Sequence, residues 1–219
     1  MLPLKDNIPS RRFPFWTYTI IFTCVVIFLY EFILPPSAQR AFIYKNGFVP
    51  YLFFKDPIGR FPTLFTSIFL HGGWSHLIFN MLYLHIFGDN VEDVLGPFWF
   101  PVFFIGAGIA GTVLETIFHP GLKVPMIGAS AAISGVMGFY FVLFPFARIL
   151  TVVIYFFFWD IVPIPAFIFL GFWILFQFFS GFMSLASPFT TVAFFAHIGG
   201  FLFGFFTART FIKRKRYFY

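Results

Sequence analysis

Pro125-Met126-Ile127-Gly128-Ala129-Ser130-Ala131-Ala132-Ile133-Ser134-Gly135-Val136-Met137-Gly138 is the stretch that decides how this chain is read. It lies in sequence hydrophobic enough for a bilayer, yet it places a hydroxyl directly after a loop rich in glycine and proline. Ser130, Ser134 and Gly138 recur every four residues, so a helix starting near Ser130 presents one narrow face of small residues. Another helix can approach such a face backbone to backbone. A serine at a helix N-terminus also lies beside backbone N–H groups able to hold a negatively charged oxygen. Neither feature requires chemistry, because serine caps helices routinely and small residues at this spacing are ordinary membrane packing. The partners found elsewhere in the chain decide between the two readings.

The surroundings set the class. Of 219 residues, 60% are apolar and only 10% charged, against roughly 25% charged in an average chain. Several apolar runs reach the roughly 20 residues that cross the hydrocarbon layer. They are continuous rather than alternating, which argues against a transmembrane barrel and for an all-α, polytopic membrane protein. The 42 phenylalanines supply the apolar excess and carry no functional reading. The single cysteine, Cys24, allows no disulfide within the chain. Net charge is +6, with Lys5, Arg11 and Arg12 near one end and Lys213, Arg214, Lys215 and Arg216 at the other. Beside membrane helices these read as cytoplasmic anchors, and no nucleic-acid partner is expected. No cleavable signal is expected either, since the run Phe15 to Leu34 is longer than a signal's apolar core and no small-residue cleavage site follows.

The chain divides into a lead at 1–14, a six-span membrane domain at 15–210 and a basic tail at 211–219, with lead and tail both cytoplasmic. The first span ends at Pro35-Pro36, and Glu31 near its end is expected to reach the interface. The first loop, 35–65, is apolar but broken by turns, so it is expected in or against the interface. The second span runs from about Leu64 to Gly88 and carries His71, His76, Asn80 and His85. The third covers about Phe98 to Phe118 after Gly96-Pro97. The fourth, Ser130 to about Phe144, is only about 22 Å long against a core of roughly 30 Å, which recesses Ser130 below the near surface. The run Ile149 to Phe158 reads either as interfacial or as span four continued past a kink. Span five, Pro165 to Met183, holds Gln177, read as an interhelical hydrogen bond. Its bulky Phe172, Trp173 and Phe176 and its lack of a small-residue seam predict looser packing than spans two, four and six. Span six, Thr191 to Thr207, carries His197, Gly200 and Gly204.

Few polar groups lie at membrane depth, and such groups are costly enough to mark function. Ser130 and His197, on two close-packing helices, can form a nucleophile and its base. No Asp or Glu lies within helical reach of His197 in sequence to complete a triad. His76 and Asn80 are four apart on one helix face and can stabilise an oxyanion together with the Ser130 N–H. His71, His76 and His85 could bind metal by residue type alone, but their offsets do not share one face and no carboxylate completes the set, so neither metal nor another cofactor is expected.

His71-Gly72-Gly73-Trp74-Ser75-His76-Leu77-Ile78-Phe79-Asn80-Met81, then Gly128-Ala129-Ser130, then Ala196-His197-Ile198-Gly199-Gly200-Phe201-Leu202-Phe203-Gly204 resemble the three motifs of rhomboid intramembrane serine proteases. The resemblance covers roughly residues 15–210 and implies a six-helix rhomboid-like bundle. It also implies Ser130 as nucleophile, His197 as base and His76 with Asn80 on the oxyanion side. Implied partners are the lipid bilayer and transmembrane protein substrates, entering past span five and the loop at 184–190 as a lateral gate. The implied setting is a bacterial or archaeal cell membrane. Three departures stand out. Ala131 replaces the glycine usual after the nucleophile. Ser134 stands where some members have a tyrosine stacked on the histidine, so His197 must be oriented from elsewhere. The first loop lacks a Trp-Arg pair seen in some members, though Arg60 lies near its place. The rival reading is a non-catalytic rhomboid-fold protein that binds or escorts membrane helices.

Overall fold

Prolines and glycines punctuate the apolar runs, and the helices follow that punctuation. A computed structural model describes residues 2–155, 158–185 and 192–215. Helix α1, Phe15–Ile33, stops where Leu34 and Pro35 turn extended before the prolines. The first loop is not coil but a run of short helices: α2 Pro36–Asn46, α3 Pro50–Lys55, α4 Pro57–Arg60, α5 Thr63–Thr66 and a 3-10 turn at Ser67–Phe69. Each of α2, α3 and α4 starts on a proline, whose missing N–H costs nothing in a first turn. Helix α6 runs Trp74–Phe118 and breaks at Gly96, where φ is 79° and Pro97 follows. The second span therefore starts later than Leu64, because extended backbone at Leu70 separates α5 and the 3-10 turn from it. Helix α7 is Ser130–Leu143, α8 is Ala166–Ser184 and α9 is Phe194–Lys215. Among the described residues α1, α6 and α8 are long and apolar enough to cross a membrane. The chain is thus a helical membrane protein.

Helix α7 is the centre of the bundle, with every residue from Ala131 to Tyr140 buried. A helix that is apolar all round belongs inside, and neighbours cover it on each side. Its approach to α9 is close. A Cβ added at Gly200 would strike the Ala131 carbonyl, and one at Gly204 the Gly135 carbonyl. The seam therefore uses Ala131, Gly135 and Gly138 and not the expected Ser130–Ser134 pair; Ser134 instead donates to the Ser130 carbonyl at 2.6 Å. The Ala131 methyl is accommodated by Gly111 of α6, which has no side chain to meet it. Helix α8 rests chiefly on α9. Its Phe172 and Phe176 are 65% and 60% exposed, so these rings point outward rather than into a loose helix seam.

The run after α7 corrects the sequence reading. Residues Arg148–Tyr155 form strand β2, not a helical continuation of span four. It pairs antiparallel with β3, Phe158–Pro165, from Arg148↔Pro165 to Tyr155↔Phe158. On its other edge lies β1, Leu2–Lys5, so the lead closes a three-stranded sheet. Ile149, Thr151, Val152, Val153 and Ile154 make β2 rich in β-branched residues that suit a strand.

Polar contacts tie the start of α1 and the lead to the rest of the bundle. Glu92 accepts from Trp16 N (2.9 Å), Thr17 N (2.8 Å) and Thr17 Oγ1 (2.8 Å). Asp6 accepts from the Tyr140 hydroxyl at 2.5 Å and from Asn90 Nδ2 at 3.2 Å. Burial raises the Asp6 carboxyl above its ordinary range, with the Tyr140 hydrogen bond opposing. A carboxyl that titrates higher folded than unfolded takes up a proton on folding, so its share of stability is full at low pH and lost as pH rises. Asp6→Asn should therefore raise the unfolding temperature in detergent at pH 7, and the gain should fade below about pH 4. A gain of equal size at both pH values would show that charge is not the cause.

Candidate active site

The loop before α7 is held from outside. Phe48 and Met126 exchange backbone hydrogen bonds (3.1 and 2.7 Å), Tyr51 N donates to Leu122 O at 3.1 Å, and Gly128 N donates to Ser67 O at 2.9 Å. The first loop thus braces the backbone that delivers Ser130. Arg60, its one candidate for the missing Trp-Arg pair, donates to the Tyr44 carbonyl at 3.1 Å. Gly128 has φ 117°, a conformation that favours glycine, and a Cβ there would stand 2.6 Å from His76 Cε1 and Nε2. Ser130 is the first residue of α7, so its N–H has no intrahelical acceptor.

Four helices bring the sequence candidates together. His197 Nε2 on α9 lies 2.9 Å from Ser130 Oγ on α7. His197 Nδ1 lies 2.8 Å from Gln177 Oε1 on α8, and the Trp173 ring is tilted against the imidazole at 5.9 Å. On α6, His76 Nδ1 accepts from Gly72 N at 3.3 Å, which leaves its proton on Nε2, the atom beside Gly128. Asn80 is buried, and its Nδ2 has no hydrogen-bond partner among the described residues. A buried donor left unpaired is expensive unless something else occupies it. Ser130, His197, His76 and Asn80 all line one cavity of about 1190 Å³, which extends past Phe79 and Tyr83 of α6 to Trp173 of α8.

The remaining titratable groups fall elsewhere. His71 and His76 pack ring to ring at 5.2 Å, whereas His85 is exposed and faces Tyr18 at 6.0 Å, so the three histidines do not converge on one point. Glu31 is fully buried in the protein, and its Oε2 accepts from His71 N at 3.4 Å. Glu115 accepts from Ala196 N at 3.0 Å and meets His119 Nδ1 at 2.6 Å, bracing the start of α9 next to His197. Sequence reasoning left Glu115 and the partner of Gln177 unassigned. A faint signal existed for Gln177: Leu170, Trp173, Gln177, Gly181 and Ser184 share one helical stripe. Residues 186–190 of the expected gate loop at 184–190 lie outside the described residues.

A sequence model of the Rhomboid domain matches residues 59–214. The chain belongs to the rhomboid family. Over 82 residues, 37% of this chain, it is 37% identical to "Putative rhomboid protease YdcA" of Bacillus subtilis, covering 41% of that protein. It is 40% identical over 80 residues, 36% of this chain, to "Rhomboid protease GluP" of the same organism, covering 15% of it. To "Rhomboid protein 1, mitochondrial" of Saccharomyces cerevisiae it is 33% identical over 127 residues, 56% of this chain and 33% of that protein. The matches thus span less than half the length of each of these relatives. Rhomboids also include a relative named "Inactive rhomboid protein 1", from Drosophila melanogaster.

Proposed function

We propose that this rhomboid is an intramembrane serine endopeptidase that hydrolyses peptide bonds in or beside transmembrane helices of membrane-protein substrates. The observation that carries the reading is the 2.9 Å pair of Ser130 Oγ and His197 Nε2 at the wall of a large cavity. Ser130 Oγ attacks the scissile carbonyl as His197 Nε2 takes its proton. The carbonyl oxygen, now an oxyanion, receives hydrogen bonds from the Ser130 N–H, Asn80 Nδ2 and His76 Nε2–H. The C–N bond then breaks, and the imidazolium gives its proton to the leaving amine. Water enters the cavity, loses a proton to His197 and attacks the acyl group, which releases a carboxylic acid and restores Ser130. Asn80 Nδ2, without a partner among the described residues, favours this role, because substrate would supply an acceptor.

Substrates enter sideways between the first half of α6 and α8, where the cavity reaches Tyr83 and Trp173. The basic lead and tail support cytoplasmic ends on both sides of the 15–210 membrane domain, and the Bacillus subtilis relatives support a bacterial or archaeal cell membrane. The second reading, a non-catalytic escort of membrane helices, draws support from the inactive Drosophila relative. A fluorophosphonate probe applied to membranes separates the two. It should label Ser130 in the wild type and leave His197→Ala unlabelled. A folded wild-type protein that takes no label at Ser130 would favour the escort.

A further inference from the structure

We propose that Gln177 is a positioning residue for His197, which makes α8 part of the proteolytic machinery as well as a side of the entry route. The inference rests on the protease reading above. An imidazole that accepts a proton at Nε2 must already carry one on Nδ1, and which nitrogen holds it is set by the partner of the other. Here that partner is the Gln177 amide oxygen, 2.8 Å from Nδ1. A carbonyl oxygen only accepts, so Nδ1–H donates and the Nε2 lone pair faces Ser130 Oγ. With the amide reversed, its NH2 would donate to Nδ1, move the proton to Nε2 and leave Ser130 without a base.

Gln177 faces the site. It is buried on the inner stripe of α8, four residues after Trp173, whose ring lies tilted beside the imidazole. The nearby carboxylate on α6 does not compete, because Glu115 is committed to Ala196 N and His119. A neutral amide also avoids the cost of a buried charge when the histidine is neutral. Ser134 leaves no aromatic ring from α7 on the histidine, so its orientation comes from α8 instead. Because α8 packs chiefly on α9 and borders the cavity, an outward swing of α8 would withdraw the amide from His197. The site is then complete only with α8 in place.

The test compares Gln177→Leu and Gln177→Glu with the wild type, using a transmembrane reporter, the fluorophosphonate probe, and nitrogen-15 NMR of the His197 ring. The probe is small and needs no helix to enter, so it reads positioning apart from gating. Wild-type His197 should carry its proton on Nδ1. Gln177→Leu should give mixed tautomers and lower both the labelling rate and kcat by roughly 10- to 100-fold, with KM changed less than about twofold. Gln177→Glu, which still offers an acceptor oxygen, should keep the Nδ1 proton and recover most of the labelling rate. If leucine prevents folding, Gln177→Asn, one methylene short of Nδ1, carries the same expectation. A folded Gln177→Leu with wild-type tautomer and labelling rate would overturn the proposal, even if cleavage of the reporter changed. A wild type with the Nδ1 proton in place but no label at Ser130 would instead sink the protease reading.

Discussion

Ser130→Ala and His197→Ala are each expected to abolish cleavage of a helix-destabilised transmembrane reporter, and the double variant should be no slower than either single one. The expectation follows from their shared hydrogen bond at 2.9 Å: the hydroxyl is a weak nucleophile until the imidazole takes its proton. Groups that act as one unit lose their effect together, so the second removal has nothing left to cost. The loss should be roughly 10⁴-fold or more. Both side chains sit on faces that pack around the cavity rather than at its tightest contacts, so truncation should leave the fold in place. Circular dichroism and thermal unfolding in detergent check that point. A purified, folded Ser130→Ala protein that still cleaves the reporter would end the protease reading. Multiplicative losses in the double variant would mean that the two side chains act separately.

The parts of this molecule that the sequence displays are those written locally. His76 and Asn80 share a face because they are one helical turn apart, and Ser130 follows a glycine-proline loop that starts a helix. The break at Gly96 is equally local, with proline behind it. The strands were hidden for the opposite reason. A short apolar run reads alike as helix or strand, and the edge partner of β2 is the lead, more than a hundred residues away. The β-branched residues from Ile149 to Ile154 were the available signal, diluted by the aromatic residues that follow. Glu31 looked like an interfacial charge because it is near a helix end, but the first-loop chain folds back and buries it against His71. In α8 only the faint stripe through Trp173, Gln177, Gly181 and Ser184 hints at which of its bulky residues face outward. The structure puts Phe172 and Phe176 outside and Trp173 against His197, so truncating those two phenylalanines would change the lipid-facing surface and not unlock a core seam.

Gly128→Ala is expected to remove activity while Gly171→Ala retains it, although both add a single methyl. Two independent causes act at Gly128. Its φ of 117° is rarely open to a residue with a Cβ, and the new methyl would stand 2.6 Å from two atoms of the His76 ring. The ring can yield only by turning away from the proposed oxyanion position. The backbone can yield only by shifting the segment that carries Ser130 two residues later, and Phe48 and Ser67 O hold that segment through Met126 and Gly128 N. Either response would separate Ser130 from the donors proposed for the oxyanion, so the loss should exceed that of deleting one donor. Asn80→Ala provides the comparison: it removes the Nδ2 that stands 3.7 Å from the same point and should lower kcat by about 10²- to 10³-fold. Gly171, on α8, has its nearest neighbour atom at 4.0 Å, and alanine suits a helix better than glycine. The same series tests the competing role for His76. If a chelator such as phenanthroline abolished wild-type cleavage and zinc restored it, His76 would be a metal ligand and the oxyanion assignment would fall. Full activity in Gly128→Ala would show that the packing of His76 against the approach to Ser130 has no part in the reaction.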